Sequence, residues 1–341
     1  MKLFFRSAVL ASLLAAPLLH AQSAPKATLL ALSKQDRTLS VIDPTTLQVI
    51  AKMPVGWDPH EVIASNDGRT AYVSNYGFGT FHTLAVVDLV NHKTLAPVDL
   101  GPLAGPHGLA YAGGRVWFTA ERAKSIGRYD PSSKRVDWIL GTGQNRTHMV
   151  WVSQDMQRIV TTNVNSGTVT IIEPVALPKP PAALPNEPMP KTDWDETVVK
   201  VGGGSEGFDV SPNEKEIWVA NAKEGTISVI SFAEKKVVAT LQANVPSANR
   251  LKFTPDGKYV LVSCLQKGEL TVLDAATRKV VKHIPIGHGA AGIVVQPDGA
   301  RAYIACTPDN NIAVLDLHSW QVVGHINAGP GPDGMAWAVN Q

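Results

Sequence analysis

The chain has 341 residues, of which 44% are hydrophobic and 18% are charged, a balance that excludes a disordered protein and supplies a large core. Its formal net charge is only +2. Binding to nucleic-acid phosphates needs clustered lysine and arginine, and the chain has no such cluster, so we expect no nucleic-acid partner.

Residues 1–21 have the pattern of a secretory signal peptide. Lys2 and Arg6 form a basic start, and residues 8–19 form an apolar run that is too short to span a bilayer. Cleavage after Ala21 would leave 29 basic and 29 acidic side chains. We therefore predict a soluble protein, exported to the periplasm or secreted. We expect no integral membrane segment in the remaining chain.

Beyond the signal, one short unit recurs seven times with a period of about 40 residues. Each unit opens with a small or polar residue and continues into an apolar run. The openings are Pro59-His60-Glu61-Val62, Pro106-His107-Gly108-Leu109, Thr147-His148-Met149-Val150, Ser205-Glu206-Gly207-Phe208, Ala248-Asn249-Arg250-Leu251, Ala290-Ala291-Gly292-Ile293 and Pro332-Asp333-Gly334-Met335. A repeat of this length overrides the two-domain expectation from length alone, because stacked repeats share one core.

Each unit contains four short runs rich in β-forming residues, separated by turns of glycine, proline, asparagine and aspartate. The chain begins in mid-unit with three such runs over residues 28–53 and ends with one run over residues 335–339. We therefore predict an all-β fold, a seven-bladed β-propeller of four-stranded antiparallel blades over residues 27–341. Pairing of the N- and C-terminal strands would close the ring and remove its exposed edges.

The repeats resemble those of the YVTN family of YncE-like β-propeller proteins. The resemblance rests on Tyr72-Val73-Ser74-Asn75, Trp218-Val219-Ala220-Asn221 and following strands such as Leu270-Thr271-Val272-Leu273-Asp274, and it covers essentially residues 27–341. It implies the fold and an exported or cell-surface protein. More distant seven-bladed propellers include lactonases, streptogramin lyases and a copper domain, and no motif singles out one of these activities.

Two features depart from the plain repeat. Residues 174–197 form a proline-rich insertion, which favours an extended surface loop and leaves a docking role as the alternative. Cys264 and Cys306 occupy the same position in neighbouring units. Neighbouring sheets lie roughly 10 Å apart, too far for a disulfide, so we expect two free thiols that fill space between blades. Recruitment of a thiol by a metal is the minor alternative.

The second residue of the openings is the best functional clue in the sequence. It is histidine in three consecutive units and glutamate in the next, at His60, His107, His148 and Glu206. Because first strands line the channel of a propeller, we expect these four side chains at one channel mouth. Imidazoles and a carboxylate are ligands for Zn, Cu or Fe. We predict a metal site there, with Glu206 as ligand or as general base; a solvated polar rim is the alternative.

The same mouth should receive further side chains from the ends of the second strands and from the remaining openings. As ligand-binding candidates these are Asn75, Tyr76, Glu121, Arg122, Asn163, Asn221, Asn249 and Asp333. Six other histidines, His82, His92, His283, His288, His318 and His325, fall in outer strands or turns and are expected on the surface.

Three functions fit this arrangement. The first is a metal-dependent hydrolase or lyase acting on a small substrate, such as a lactone. The second is a noncatalytic scaffold that binds a peptide, glycan or partner protein, with Trp57 and Tyr76 as aromatic anchors. The third is a purely structural component of the cell envelope.

Overall fold

The computed structural model describes residues 27–178 and 191–339, which form seven four-stranded antiparallel sheets arranged as the blades of a closed propeller. We number the blades in chain order from residue 59, so that blade 7 combines the two ends of the chain. The expected signal peptide lies outside the described residues. Within them, no helix is long and apolar enough to cross a membrane.

In blades 1 to 6 the strand order from the channel outwards is the order of the chain, and in blade 7 the C-terminal strand lies inside three N-terminal strands. From blade 1 to blade 7, the first strands are Pro59–Ala64, Pro106–Ala112, Thr147–Val152, Ser205–Val210, Ala248–Phe253, Ala290–Val295 and Pro332–Val339. The second strands are Thr70–Asn75, Arg115–Ala120, Ile159–Asn163, Glu216–Asn221, Tyr259–Cys264, Arg301–Cys306 and Ala27–Ser33. Each first strand begins at the opening residue that the repeat predicts.

The third strands are Thr83–Asp88, Ser125–Asp130, Thr168–Ala176, Thr226–Ser231, Glu269–Asp274, Asn311–Asp316 and Thr38–Ile42. The fourth strands are Lys93–Thr94 with Val98–Asp99, Arg135–Gly141, Thr192–Lys200, Lys236–Leu241, Lys279–Pro285, Gln321–Ile326 and Val49–Pro54. A single 3-10 turn at Gly77–Gly79 is the only helical element of the described residues.

The N-terminal strand closes the ring by pairing with the C-terminal strand, as predicted. Leu29 pairs with Trp337 and Ala31 with Met335 in an antiparallel register. This pairing supplies hydrogen-bond partners to both chain ends and leaves the propeller without a gap.

The core lies between the blades. Second and third strands are buried almost throughout, whereas fourth strands alternate half-buried and exposed residues because one face meets water. Within the described residues, seven hydrophobic clusters each join two neighbouring blades; the cluster of Leu30 and Val62, for example, joins blade 7 to blade 1.

Glycines near the channel let the first strands approach closely. A Cβ on Gly334 would lie 2.2 Å from the backbone oxygen of His60, and one on Gly108 would lie 2.5 Å from that of His148. Glycine is therefore required at both positions, since any larger residue would push the neighbouring histidine away.

Part of the proline-rich insertion predicted over residues 174–197 is β-strand and not loop. Residues 174–176 and 192–197 belong to a long hairpin in which Ala176 pairs with Thr192. Trp194 on this hairpin packs against Trp138 of blade 2, which explains why the strands continue beyond their neighbours. Residues 179–190, which hold most of the prolines, lie outside the described residues, so a loop there stays a prediction. The hairpin is on the opposite face from the histidines.

Candidate functional site at the channel mouth

One backbone feature, repeated in all seven described blades, builds the channel mouth. The residue before each first strand has a positive φ, and its carbonyl oxygen accepts a hydrogen bond of 2.8–3.3 Å from the amide that follows the second strand. From blade 1 to blade 7 the carbonyl residues are Asp58, Gly105, Arg146, Gly204, Ser247, Gly289 and Gly331, and the amide residues are Tyr76, Glu121, Val164, Ala222, Leu265, Thr307 and Lys34. Side chains at both positions therefore flank the mouth.

Three consecutive blades use the position after the second strand to bring polar groups to the histidines. Lys34 of blade 7, Tyr76 of blade 1 and Glu121 of blade 2 each reach a histidine of the mouth or a group that contacts it. Tyr76 and Glu121 were predicted as ligand-binding residues. Lys34 was missed, although it occupies the same repeat position and could have been found from it.

Hydroxyl groups on the second strands fix the backbone of the histidines. The Ser74 hydroxyl donates a hydrogen bond of 2.8 Å to the His107 carbonyl oxygen, and Thr119 donates one of 2.6 Å to that of His148. Thr162 does the same for Glu206 at 2.8 Å. Each hydroxyl belongs to the preceding blade, so these bonds set the spacing between neighbouring functional residues.

The three histidines converge, as predicted. The ring centroids of His60 and His107 are 4.9 Å apart, and those of His107 and His148 are 3.9 Å apart. Tyr76 packs against His60 and His107, with ring centroids 4.8 and 5.2 Å away. The equivalent repeat positions therefore form one contiguous aromatic cluster.

His60 is held as a neutral imidazole. The Lys34 ammonium lies 2.8 Å from Nε2, which must accept its hydrogen bond, and Nδ1 lies 3.2 Å from the Asp58 carbonyl oxygen. Burial and the nearby Lys34 charge lower the pKa of His60. Lys34 also pairs with Asp333 at 3.2 Å, so the Nε2 lone pair of His60 faces an ammonium group.

His107 is also neutral, but its buried Nδ1 has no hydrogen-bond partner among the described residues. The side chain is 2% exposed, and burial together with the charges of His148 and its neighbours holds its pKa well below the ordinary value. A buried, unpaired nitrogen is costly in a folded protein. Such an unpaired nitrogen is expected where a ligand supplies the missing partner.

His148 lies between two carboxylates. Its Nδ1 is 2.5 Å from Glu121 Oε1, and its Nε2 is 2.8 Å from Glu206 Oε2 in an ion pair that lies off the N–H direction of the ring. Burial alone would lower the pKa of His148, but Glu206 and Glu121 outweigh burial and raise it. Burial would likewise raise the pKa of Glu206, yet the His148 charge lowers it to about 2.

Glu121 connects this pair to its surroundings. The Tyr76 hydroxyl donates a hydrogen bond of 2.5 Å to Oε2, and Arg146 Nε lies 3.3 Å from Oε1. Burial and the hydrogen bond to Glu121 raise the pKa of Tyr76, so the phenol stays protonated. Arg146 also reaches Glu206 at 3.4 Å. Arg146 was not predicted, because its position before the first strand is glycine in four other blades.

The ligand atoms of His107, Glu121 and His148 lie within 4.8 Å of one another, and all three residues are buried. This set differs from the predicted quartet of His60, His107, His148 and Glu206. His60 and Glu206 lie beside it, facing Lys34 and His148 respectively. A three-residue group of two imidazoles and one carboxylate has the composition of known transition-metal sites.

The floor of the mouth is an ion pair. Arg250 of blade 5 extends towards Glu61 of blade 1, with Nη2 2.5 Å from Oε1 and side chains 12% and 13% exposed. Glu61 and Arg250 occupy the third position of their openings, where four units have glycine. The opposite charges of Glu61 and Arg250 at this repeat position indicate an ion pair, which we did not predict from the sequence.

The remaining candidates are distributed around the rim. Arg122 is exposed and lines, with Tyr76, Glu121, Lys124, Asn145 and Arg146, a cavity of about 430 Å³ next to the histidines. Asp333 faces Lys34, and Asn249 lies 3.5 Å from Arg250 Nη1. Asn75, Asn163 and Asn221 are buried at the ends of their strands; the amides of Asn163 and Asn221 bond hydroxyls of the next strand.

The two cysteines are free and buried, as expected. Cys264 Sγ is 2.8 Å from the Pro246 carbonyl oxygen, and Cys306 Sγ is 3.3 Å from that of Ile286, so both thiols contact backbone near their own blades. Burial raises the pKa of Cys306 to about 11. The six histidines predicted on the surface are all exposed.

Comparison with known proteins agrees with the fold. Residues 189–296 match the family described as YNCE-like beta-propeller. No curated protein sequence is significantly similar to the chain.

Solved structures share the architecture at low sequence identity. A functionally unknown protein from Desulfotomaculum acetoxidans is 13% identical with a TM-score of 0.73, over 92% of this chain and 99% of that chain. Hydrazine synthase from Kuenenia stuttgartiensis is 17% identical with a TM-score of 0.69, over 85% and 92%. The dihydro-heme d1 dehydrogenase NirN is 15% identical with a TM-score of 0.64, over 94% and 77%. These three proteins have different descriptions, so the fold is the property that this chain shares with all of them. The family match over residues 189–296 and the seven closed blades together support a YncE-like β-propeller fold for this chain.

Proposed function

We propose that the protein is an exported metal-dependent enzyme, a hydrolase or lyase, whose centre is the group of His107, Glu121 and His148. The proposal rests on the ligand atoms of His107, Glu121 and His148, which lie within 4.8 Å of one another, and on the buried Nδ1 of His107, which has no hydrogen-bond partner among the described residues. Imidazole nitrogen and carboxylate oxygen favour Zn, Cu or Fe.

Metal binding requires a neutral imidazole, and His107 is in that state. Its lowered pKa keeps the lone pair free near neutral pH. His148 must lose the proton between Nδ1 and Glu121, so binding should release a proton. Glu206 then remains at Nε2 of His148 as the outer carboxylate that orients a ligating imidazole.

We assign Glu206 to this orienting role rather than to general-base chemistry. A carboxylate with a pKa of about 2 is a weak base at neutral pH. His60 lies beside His107, but its Nε2 lone pair accepts from Lys34, so we assign it no general-base role either. The metal itself would supply Lewis-acid polarisation of a substrate carbonyl or leaving group.

The adjacent cavity of about 430 Å³ suggests the charge of the substrate. Arg122, Lys124 and Arg146 line it, and Glu121 already interacts with His148 and Tyr76. Guanidinium groups pair well with carboxylates and phosphates. A small anionic substrate therefore fits this site best.

Metal analysis of the purified protein tests the proposal. We expect about one transition-metal ion per chain, retained after dialysis, and loss of that ion in His107→Ala. His60→Ala is the matched control, since it removes a histidine at the same repeat position in the neighbouring blade and keeps all three proposed ligands. If wild-type protein refolded with Zn, Cu or Fe salts holds no metal above background, the metal-dependent function is excluded.

Export is part of the proposal and has its own test. N-terminal sequencing of protein recovered from the periplasm or medium should show a chain that begins at Gln22. Retention of residues 1–21 on a protein confined to the cytoplasm would contradict it.

A noncatalytic scaffold is the second candidate, and the exposed aromatic side chains near the mouth favour it. Trp57 is 60% exposed and Phe78 is 89% exposed, as expected for anchors that bind a peptide, glycan or partner protein. Metal-loaded protein that binds an anionic ligand at Arg122 and Arg146 but turns over no ester, lactone or phosphate would support this candidate over the enzyme.

A further inference from the structure

Blade 1 departs from the other blades at two places. Seven residues, 76–82, join its second and third strands, whereas four residues do so in each of the other six described blades. Its fourth strand is interrupted between Lys93–Thr94 and Val98–Asp99. Pro97 lies in the interruption, and proline cannot donate a hydrogen bond to a neighbouring strand.

The two irregular segments line one cavity. It has a volume of about 560 Å³ and lies between blade 1 and the outer strand of blade 7. Its apolar walls include Pro54, Val55, Trp57, Phe81, Leu95 and Pro97. No lysine, arginine, aspartate or glutamate of the described residues lines it, so a neutral occupant is favoured.

Asn75 is the buried polar side chain of the cavity; the other polar residues that line it, Thr80, His82, Thr83 and Thr94, are exposed or half-buried. Asn75 is 6% exposed, and its Oδ1 has no hydrogen-bond partner among the described residues. In blade 3 the equivalent oxygen of Asn163 accepts a bond of 3.0 Å from the Thr147 hydroxyl. Blade 1 has Pro59 opposite Asn75, so this donor is missing.

Asn221 of blade 4 shares the unpaired oxygen, but it does not line this cavity. What distinguishes Asn75 is therefore the combination of a buried free acceptor with an open apolar space. Leaving a buried acceptor unpaired is costly, and a ligand donor would remove that cost.

The opening of the cavity presents apolar and aromatic surface. Trp57 is 60% exposed, Leu95 is 42% exposed and Phe81 is 38% exposed. The Arg37 guanidinium stacks over the Trp57 ring and supports one of its faces. A planar aromatic molecule can pack against such side chains with little loss of their conformational freedom.

We propose that this cavity is a second binding site, for an uncharged aromatic small molecule whose single N–H or O–H group donates to Asn75 Oδ1. The site shares no residue with His107, Glu121 and His148. Its occupation is therefore independent of the metal function proposed above.

Two matched pairs of probes test the proposal: indole with 1-methylindole, and p-cresol with 4-methylanisole. Methylation removes the donor of each probe and leaves its aromatic ring unchanged. Affinities are measured by ligand-observed NMR titration of the full protein. We expect at least one donor probe to bind with a Kd of about 1 mM or below and its methylated partner to bind about five- to tenfold more weakly.

Variants locate the binding. Asn75→Ala should abolish the preference for the donor probe, whereas Asn221→Ala, at the same position in blade 4, should keep it. Leu95→Trp fills the opening from an exposed position and should weaken both probes at least tenfold. The thermal unfolding midpoint of each variant shows whether it folds. If Asn75→Ala does not fold, the affinities of the two probe pairs for wild-type protein and for Leu95→Trp still test the proposal.

The proposal is overturned if neither pair binds wild-type protein at concentrations up to about 5 mM. It is also overturned if the donor and methylated probes bind equally, or if Leu95→Trp leaves their affinities unchanged. Metal content measured on the same samples keeps this result separate from the fate of the metal centre.

Discussion

Arg250 and Glu61 are 189 positions apart in the chain, yet they meet at 2.5 Å across the propeller channel. The contact exists because blades 5 and 1 stand on opposite sides of the ring and their openings have long charged side chains where four of the other five have glycine. It links first strands that no β-sheet joins, and it closes the floor beneath the histidines.

Breaking this pair should destabilise the whole propeller. We expect Arg250→Met to lower the free energy of unfolding by roughly 3–5 kcal/mol, because it leaves the Glu61 carboxylate buried without a partner. The double variant Glu61→Met/Arg250→Met should recover most of the loss. Urea unfolding measures all three free energies.

The exposed pair of Lys258 and Asp256 is the control, with side chains 72% and 50% exposed. Lys258→Met should change the free energy of unfolding by less than about 1 kcal/mol. If the two core substitutions are simply additive, the pair does not act as a unit.

The hydroxyl contact between blades 2 and 3 gives a second prediction. Thr119→Val should lower the free energy of unfolding by roughly 1–2 kcal/mol, because the hydroxyl accepts from the Gly108 amide and donates to the His148 carbonyl oxygen. Thr161→Val is the control: its hydroxyl is equally buried but has no partner among the described residues, so the change should be neutral or stabilising. Equal losses in both variants would refute the role of the hydroxyl.

In metal-free protein, the group of Glu121, His148 and Glu206 should make stability depend on pH in two directions. The pKa of His148 is raised by folding, so its contribution is complete below its ordinary value of 6.5 and is lost as pH rises through the folded pKa. The pKa of Glu206 is lowered to about 2, so its contribution is complete above 4.5 and is lost as pH falls towards 2.

The stabilisation relative to Glu206→Gln should therefore be largest between about pH 4.5 and 6.5, at roughly 1–3 kcal/mol. Chemical unfolding at several pH values in the presence of a chelator measures it. A difference between the two proteins that stays constant from pH 3 to 9 would contradict the ion pair.

Cys306 should be unreactive in the folded protein. Burial raises its pKa to about 11, and the thiolate is the reactive form. At pH 8 we expect alkylation by iodoacetamide only at the rate of unfolding, and rapid alkylation once urea unfolds the chain. Mass spectrometry of timed samples follows both reactions. Fast labelling of Cys306 in native protein would show that the thiol is accessible.

The left-handed residue before each first strand offers a further test. Ser247 has a φ of 52°, and Ser247→Gly should raise the free energy of unfolding by up to about 1 kcal/mol by removing backbone strain. Gly331→Ala, in the equivalent position of blade 7 with a φ of 65°, should lower it by about 1 kcal/mol. We therefore predict changes of opposite sign in the free energy of unfolding of the two variants. Changes of the same sign would refute the strain argument.

The fold was predictable because its information is local and repeated. Turns and short strands recur at a fixed period, and each first strand starts at an opening residue such as Thr147 or Ser205. The interrupted outer strand of blade 1 was not foreseen. Pro97 marks it in the sequence, but only the structure shows that Pro97, Pro54 and Trp57 line one cavity there.

The site was predictable in its histidines and less so in their partners. Convergence of His60, His107 and His148 follows from ring closure and equal repeat positions. Lys34 and Arg250 occupy repeat positions from which they could have been found. The groups that they contact could not be predicted, because those contacts depend on side-chain direction across the mouth and the channel. Glu121 was predicted to bind ligand, and the structure places it with His107 and His148 in the group that could hold a metal ion.

The strand pair that joins the two chain ends also supplies functional groups. Lys34 follows the N-terminal strand, Asp333 lies within the C-terminal strand, and both contact or flank His60. A molecule bound to these groups would stabilise the pairing of the N- and C-terminal strands, because opening the ring would break the contacts of that molecule with one strand or the other. Occupancy of the mouth should thereby protect the termini from proteases, so that resistance to digestion reports a bound ligand even before its chemistry is known.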